Sequence, residues 1–349
     1  MSQSIRVFVD PSGRMLYSSF YLQGLYDEFG KRNVRFSSRH FRELNRKSDS
    51  NSFDHYMAFV IVSPSNHINR IIIDFRDKPG IKQNAWDWCD LYAKINFNPA
   101  LTDQKYLSKI ISVGPSFGIR IWDFWETAWY CVSNFIRCGF LPVAAWKRHL
   151  SDYYGQYIRP RMGEYTRRQP VSGESERPYV FMLARLWPGT SVDQTNRLRK
   201  EFMQCCRTAD CDFEGGFFTS GNSLPEKGYE NVWAKRPYTT KEFLKNNQAS
   251  AFVFNTPAVY NCHGWKLGEF LAMRKAIISS TLVNELPEPL VHGVHIHYVR
   301  NREELEAAIN LLLTDRSYRA KLEEGAAAYY LRYIEPRSVI QNSILPLCK

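Results

Sequence analysis

Short runs of β-branched and aromatic residues alternate with longer amphipathic stretches along most of this chain. Residues 5–10 read as a strand, followed by a loop at 11–14 and an aromatic helix over 18–30. Apolar runs at 34–36, 58–62, 71–73 and 109–113 have the length and composition of buried strands, and 90–96 supplies another. That pattern predicts a mostly parallel sheet. Residues 164–178, rich in Pro, Gly, Ser and charge, have the composition of a linker. Beyond it the chain predicts a strand over 179–183, a helix over 192–208, and a helix near 240–247. A strand at 251–255, a helix around 266–273 and a strand at 276–279 follow, as in repeated βαβ units. Residues 302–313 and 315–334 read as helical, with Pro336 marking a break.

Length agrees with two domains, since 349 residues exceed the size at which a single hydrophobic core keeps growing. The expected boundaries are 1–165 for the first Rossmann-like domain, 166–178 for the linker and 179–335 for the second. Residues 336–349 form a tail that returns to the first domain. With 44% hydrophobic and 23% charged residues, the composition is that of a folded chain, not a disordered one. The eight cysteines are scattered and show no disulfide framework, which points to a reducing, cytoplasmic setting. His292, His295 and His297 lie close in sequence but lack a fourth ligand nearby, so they read as strand and loop residues and no metal site is expected. No secretory signal precedes the first strand.

A formal charge of +11 favours anionic partners: nucleotide sugars, anionic lipid head groups or nucleic acid. Nucleic acid is disfavoured, because the basic residues are interspersed with acidic ones and no recognition motif is evident. The apolar stretch 119–146 is interrupted by Asp123, Glu126 and Arg137, which argues against a membrane span. Its continuation is basic, with Lys147, Arg148, Arg159, Arg161, Arg167 and Arg168. The aromatic residues Trp122, Phe124, Trp125 and Trp129 are expected in the first domain's core; the alternative is peripheral contact with a membrane surface.

The segment from Asn261 to Glu269, with Cys262, His263, Gly264, Trp265 and Lys266, reads as a loop opening a helix. Gly264 permits close approach of a ligand, the helix start favours an anion, and Lys266 adds a cation there. Glu269, three residues on, shares a helix face with Lys266 and suits a sugar hydroxyl. The plain alternative is an amphipathic helix packed on a sheet, with Lys266 and Glu269 as a solvated pair. In an open parallel sheet, ligands bind beyond the carboxyl ends of the strands. The loops expected there carry Gly13 and Ser116 in the first domain, and Arg185 in the second.

Residues 255–299 resemble the donor-binding segment of the retaining family 4 (group 1) glycosyltransferases of GT-B fold. The matching residues are Gly264, Glu269, the turn at 272–278 and the segment 290–295. The resemblance implies an α/β fold of two Rossmann-like domains facing a central cleft. It implies transfer of a sugar from a nucleotide diphosphate sugar to an acceptor hydroxyl, with retention and without a metal or other cofactor. The acceptor implied is a glycan or lipid-linked, in synthesis of surface polysaccharide or glycoconjugate. Arg185 and Glu269 are implied as the principal catalytic-site residues, with Asn261 and Trp265 in the donor loop and Tyr238 where the family holds the base; Lys266 stands where the family often has Pro, and its charge is expected to replace a missing one at the phosphates. Two departures stand out: Asn261 occupies the position of the first family glutamate, and Thr190 that of the usual lysine. They keep open a nucleotide-sugar epimerase or an inactive scaffold of the same fold.

Overall fold

The computed structural model describes residues 5–44, 46, 56–139, 143–167, 177–187, 189, 193–219 and 227–348. The chain divides into two compact units. Unit 1 comprises residues 1–162, 284–288 and 331–349, and unit 2 comprises 163–283 and 289–330. The divisions therefore fall at 162/163 and 330/331, where the sequence suggests 165 and 335. The short segment 284–288 also belongs to unit 1: the Glu285 N–H donates to the Phe97 carbonyl at 2.7 Å. Most of the expected linker, together with Thr190 and Arg168, lies outside the described residues.

Unit 1 is built on six strands: β1 (Arg6–Val9), β2 (Val34–Phe36), β3 (Tyr56–Val62), β4 (Ile68–Asp74), β5 (Leu91–Lys94) and β6 (Ile110–Ser112). Their order is β2-β1-β3-β4-β5-β6. β3 runs antiparallel to both neighbours, pairing Val7 with Ile61 on one side and Phe59 with Ile71 on the other; the remaining pairs are parallel. The sheet is thus mostly parallel, as expected, with β3 the exception. The cause is local: β3 and β4 are joined by a tight polar turn, and a connection that short only permits an antiparallel return. Every residue of β3 is buried, so periodicity alone does not reveal its direction.

The helices of unit 1 are α1 (Met15–Phe29), the short α2 (Gln83–Trp88), α3 (Phe124–Arg137) and α4 (Val143–Tyr157), with α5 (Met162–Thr166) at the division. Gly24 in α1 admits the Pro336 segment so closely that a Cβ would stand 2.1 Å from the Pro336 carbonyl oxygen. α3 starts at a capping box in which Asp123 and Glu126 satisfy each other's backbone N–H groups. α3 packs on α4 through Asn134 donating to the Tyr153 hydroxyl at 2.8 Å. Only part of the aromatic cluster joins the core. Trp122 is fully buried, stacked between Tyr130 and Tyr153, but Phe124, Trp125 and Trp129 are exposed, Trp125 to 77% and Trp129 to 68%. Placement of those three in the core is overturned: their rings are left exposed at the start of α3, Phe124 touching only the edge of α4 at Tyr157.

Unit 2 contains β7 (Tyr179–Arg185), α6 (Asp193–Thr208), β8 (Asp212–Phe218), α7 (Thr240–Ala249), β9 (Val253–Asn255), α8 (Trp265–Ala272), β10 (Ile277–Ser279) and β11 (His297–Tyr298). Two further helices, α9 (Arg302–Thr314) and α10 (Arg316–Tyr329), complete it. All strand pairs are parallel: β7 with β8, β9 with β10, and β10 with β11. The Ala251 N–H donates to the Tyr179 carbonyl at 2.7 Å, which ties the approach to β9 onto β7. Phe202 of α6 stacks on Phe254 of β9, with centroids 4.6 Å apart, at the centre of the core. This is an α/β unit of parallel strands flanked by helices, and it directs the loops after β7 and β9 to one end of the strands.

Candidate functional site

The start of α8 differs from those of α7 and α9 in the same unit. α7 has a capping box from Thr239 and Glu242, and α9 is capped by Asn301, whereas Gly264 at the N-cap of α8 offers no side chain to the first helical N–H groups. A Cβ at Gly264 would meet nothing within 4 Å, so the protein's own packing does not demand glycine, and the space beside the helix start is open. Just before it, Tyr260 and Asn261 both adopt left-handed backbone, at φ 57°. That conformation is tolerable for Asn and costly for Tyr, and such strain concentrates at functional loops.

Lys266 lies in the first turn of α8. Its ammonium turns inward and donates to the Leu183 carbonyl near the end of β7. Burial, and then the Arg199 charge, pull the ammonium down from 10.5 to about 7, against the support of Glu269. Lys266 and Glu269 are therefore not a solvated surface pair. Glu269, one turn further on, is buried on α8, and its Oε1 lies 3.4 Å from the Tyr165 hydroxyl. Tyr165, itself buried, is placed by α5, where the Gln248 side chain donates to the Glu164 carbonyl at 2.7 Å.

Arg199 is the residue that the sequence reading misses. It belongs to α6, is only 7% exposed, and its Nε donates to Thr256 Oγ1 at 2.8 Å, just beyond β9. Burial lowers the guanidinium to about 10, opposed by nearby Cys262, and it stays charged at neutral pH. No carboxylate forms an ion pair with it among the described residues. A signal for it exists in the sequence: Asn196, Arg199, Met203 and Cys206 follow helical spacing and form the buried stripe of α6. An arginine in that stripe is out of place unless something answers its charge.

Arg185 ends β7, two residues past the carbonyl that holds Lys266, and is exposed with its guanidinium 4.9 Å from the Trp187 ring centroid. Arg185, Lys266, Glu269 and Arg199 are thus all carried at or near the carboxyl ends of β7 and β9. Trp265 opens the helix and is half-buried, while Asn261 is exposed in the strained loop. Tyr238 is committed elsewhere: its hydroxyl donates to Glu214 at 3.0 Å and Arg236 lies 4.2 Å from its ring centroid. It still connects to the site through rings, since Phe181 touches both Tyr238 and Phe243, and the Lys266 ammonium lies 5.9 Å from Phe243.

The two unit 1 residues sit in different surroundings. Gly13 follows β1 in a turn organised by Asp10, which accepts from the Ser12 N–H at 3.0 Å and the Ser12 hydroxyl at 2.7 Å. Its φ is unremarkable and a Cβ would make ordinary contacts. Ser116 is buried beside the Tyr21 hydroxyl inside unit 1. Among the described residues, no group of three or more His, Cys, Asp or Glu side chains is arranged to hold a metal ion. The δ nitrogens of His292 and His295 accept from the backbone N–H groups of Tyr298 and Val291, both at 3.0 Å.

No family model matches the chain, and no curated protein matches it. Among solved structures it resembles that of WaaG, a glycosyltransferase involved in lipopolysaccharide biosynthesis. The match covers 76% of this chain and 86% of that one, at 10% identity and a TM-score of 0.33. A superposition this loose adds nothing to the geometry above.

Proposed function

We propose that the chain is a glycosyltransferase of GT-B type that moves a sugar from a nucleotide diphosphate sugar to an acceptor hydroxyl. The observation that carries this reading is the Lys266 ammonium, turned inward onto the Leu183 carbonyl at the uncapped start of α8, one turn from the buried carboxylate of Glu269. Departure of a nucleoside diphosphate develops negative charge. A cation and oriented N–H groups placed beforehand in a poorly solvated site stabilise such charge strongly. Lys266, Arg185 and the α8 N–H groups supply that role without a metal, and retention follows from the resemblance of 255–299 to the retaining family. Glu269 accepts from donor hydroxyls and fixes orientation, with no proton transfer assigned to it. Asn261 and Trp265 contact the donor at the loop; Tyr238 acts behind the site through Phe181.

A thermal-shift screen against a panel of nucleotide diphosphate sugars tests the donor, because a ligand bound only by the folded chain raises its stability. The expected result is one donor whose shift is lost in Glu269→Ala and Arg185→Ala. No shift with any donor would sink the proposal. Release of nucleoside diphosphate only when an acceptor is present separates transfer from epimerisation, and donor binding with neither outcome marks an inactive scaffold.

The acceptor reading rests on unit 1. Trp125, Trp129, Val132 and Ile136 form an exposed stripe on α3, and Trp146, Leu150, Tyr154 and Ile158 repeat at intervals of four along α4 and just past its end. Lys147 and Arg161 are exposed nearby. Aromatic rings beside basic residues suit an anionic membrane surface and hence a lipid-linked acceptor, at the inner face of a cytoplasmic membrane. No described helix is long and apolar enough to cross a membrane. Co-sedimentation with anionic vesicles, reduced in the Trp125→Ser/Trp129→Ser double variant, is the expected result; recovery in the supernatant with and without anionic lipid would end this part.

A further inference from the structure

We propose that Arg199 is a diphosphate-binding residue: positioned by Thr256, its guanidinium works with Lys266 to hold the bridging anion of a phosphorylated donor. The inference rests on the donor reading above and adds a residue that the resemblance to the retaining family does not supply.

Three observations converge on it. Arg199 is more than nine-tenths buried and makes no ion pair among the described residues, its one hydrogen bond being Nε to Thr256 Oγ1 at 2.8 Å. A buried cation without a counter-charge is costly, so a fold that keeps one there gains something from it. Second, Arg199 lies close enough to Lys266 for its charge to disfavour the ammonium, and two cations placed together are stabilised by an anion that both can reach. Third, Arg199 is held at Thr256, just past β9, and Lys266 lies in the first turn of α8, the helix that follows, where the space next to Gly264 is open. The planar guanidinium presents paired N–H donors that match phosphate oxygens, and with Nε anchored to Thr256 it is pre-oriented to do so.

The neighbouring α6 residues show that this is not a general property of a basic helix. Arg197 is 79% exposed and pairs with Glu201 at 2.9 Å, as expected of a solvated face. Arg199, two residues on, is buried and donates to Thr256.

The test is titration of the whole chain with inorganic pyrophosphate, followed by calorimetry, for wild type, Arg199→Met and Arg199→Lys. Loss of a charge-assisted contact predicts affinity about ten- to a hundredfold weaker in Arg199→Met, partly restored in Arg199→Lys. A merely structural arginine would lower the melting temperature of Arg199→Met while leaving pyrophosphate affinity within twofold of wild type, and that result overturns the inference. So does a wild type that fails to bind pyrophosphate. Should Arg199→Met fail to fold, the side-chain Nε–H resonance missing from Arg199→Lys identifies Arg199 in wild-type spectra. It must move on adding pyrophosphate, and a stationary resonance at saturation overturns the proposal. Acceptor-dependent sugar transfer is measured separately: its absence with pyrophosphate binding intact removes the transferase reading and leaves Arg199 as an anion-binding residue.

Discussion

Lys266 makes donor binding a proton-linked event. In the ligand-free chain its ammonium, normally at 10.5, is held at about 7 by burial and by Arg199. The difference corresponds to ~5 kcal/mol of lost charge stabilisation at about 1.36 kcal/mol per pH unit. A diphosphate placed against the ammonium restores that stabilisation and returns the group toward its ordinary value. At pH 8 a lysine of that kind is about nine-tenths neutral, so binding takes up ~0.9 proton; at pH 6 it is already charged and the uptake falls to ~0.1. Affinity consequently weakens as pH rises, by about fiftyfold between pH 7 and 9. A nucleotide sugar is the suitable ligand, because its diphosphate diester exchanges no proton of its own in this range. Calorimetry at pH 8 in Tris and in HEPES, whose ionisation enthalpies differ, reads the uptake directly. Lys266→Met should bind more weakly, with no buffer dependence. Equal heats in both buffers for wild type, with binding intact, would refute the reasoning.

Other consequences are independent of ligand. Because the folded Lys266 lies at about 7 and an unfolded one at 10.5, the unfolded chain binds more protons between those values. Stability from this group is therefore flat below about pH 7 and rises from there to about 10.5, as urea melts of ligand-free protein across that range should show. In unit 1, the buried Asp74 accepts from Lys94 Nζ at 3.0 Å and from Arg76 at 2.6 Å, which hold its carboxyl down at about 2 against the cost of burial. With its folded value below 3.8, that carboxylate contributes ~2 kcal/mol above about pH 4, lost as pH falls through about 2. Lys94→Met leaves the carboxylate without its fully buried partner and should cost about 3–5 kcal/mol in the same melts, with activity retained in whatever remains folded. Gly24→Ala forces a methyl toward the Pro336 carbonyl and should destabilise by about 1–3 kcal/mol or more, read as a lowered melting temperature; an unchanged melt would mean that the 331–349 segment packs less tightly on α1.

The sequence by itself determined the alternation of elements and the segment that carries chemistry. β7, α7, β9, α8 and β10 lie within a few residues of where hydrophobic periodicity puts them, because period and cap chemistry are local properties. β8 escaped notice, since Gly215 and Gly216 interrupt its apolar run; their left-handed φ values and close contacts with Met182 and Val232 emerge only on folding. Tertiary structure alone decided which side chains of one type are inside. Trp122 is stacked in the core while Trp125 and Trp129 lie open, and Arg199 is buried while Arg197 is solvated. It also turned Lys266 inward to Leu183 and set Tyr165 beside Glu269, 104 residues away in the chain. The physical reason is that propensity and periodicity act over a few residues, whereas desolvation and charge pairing depend on groups brought together from distant segments.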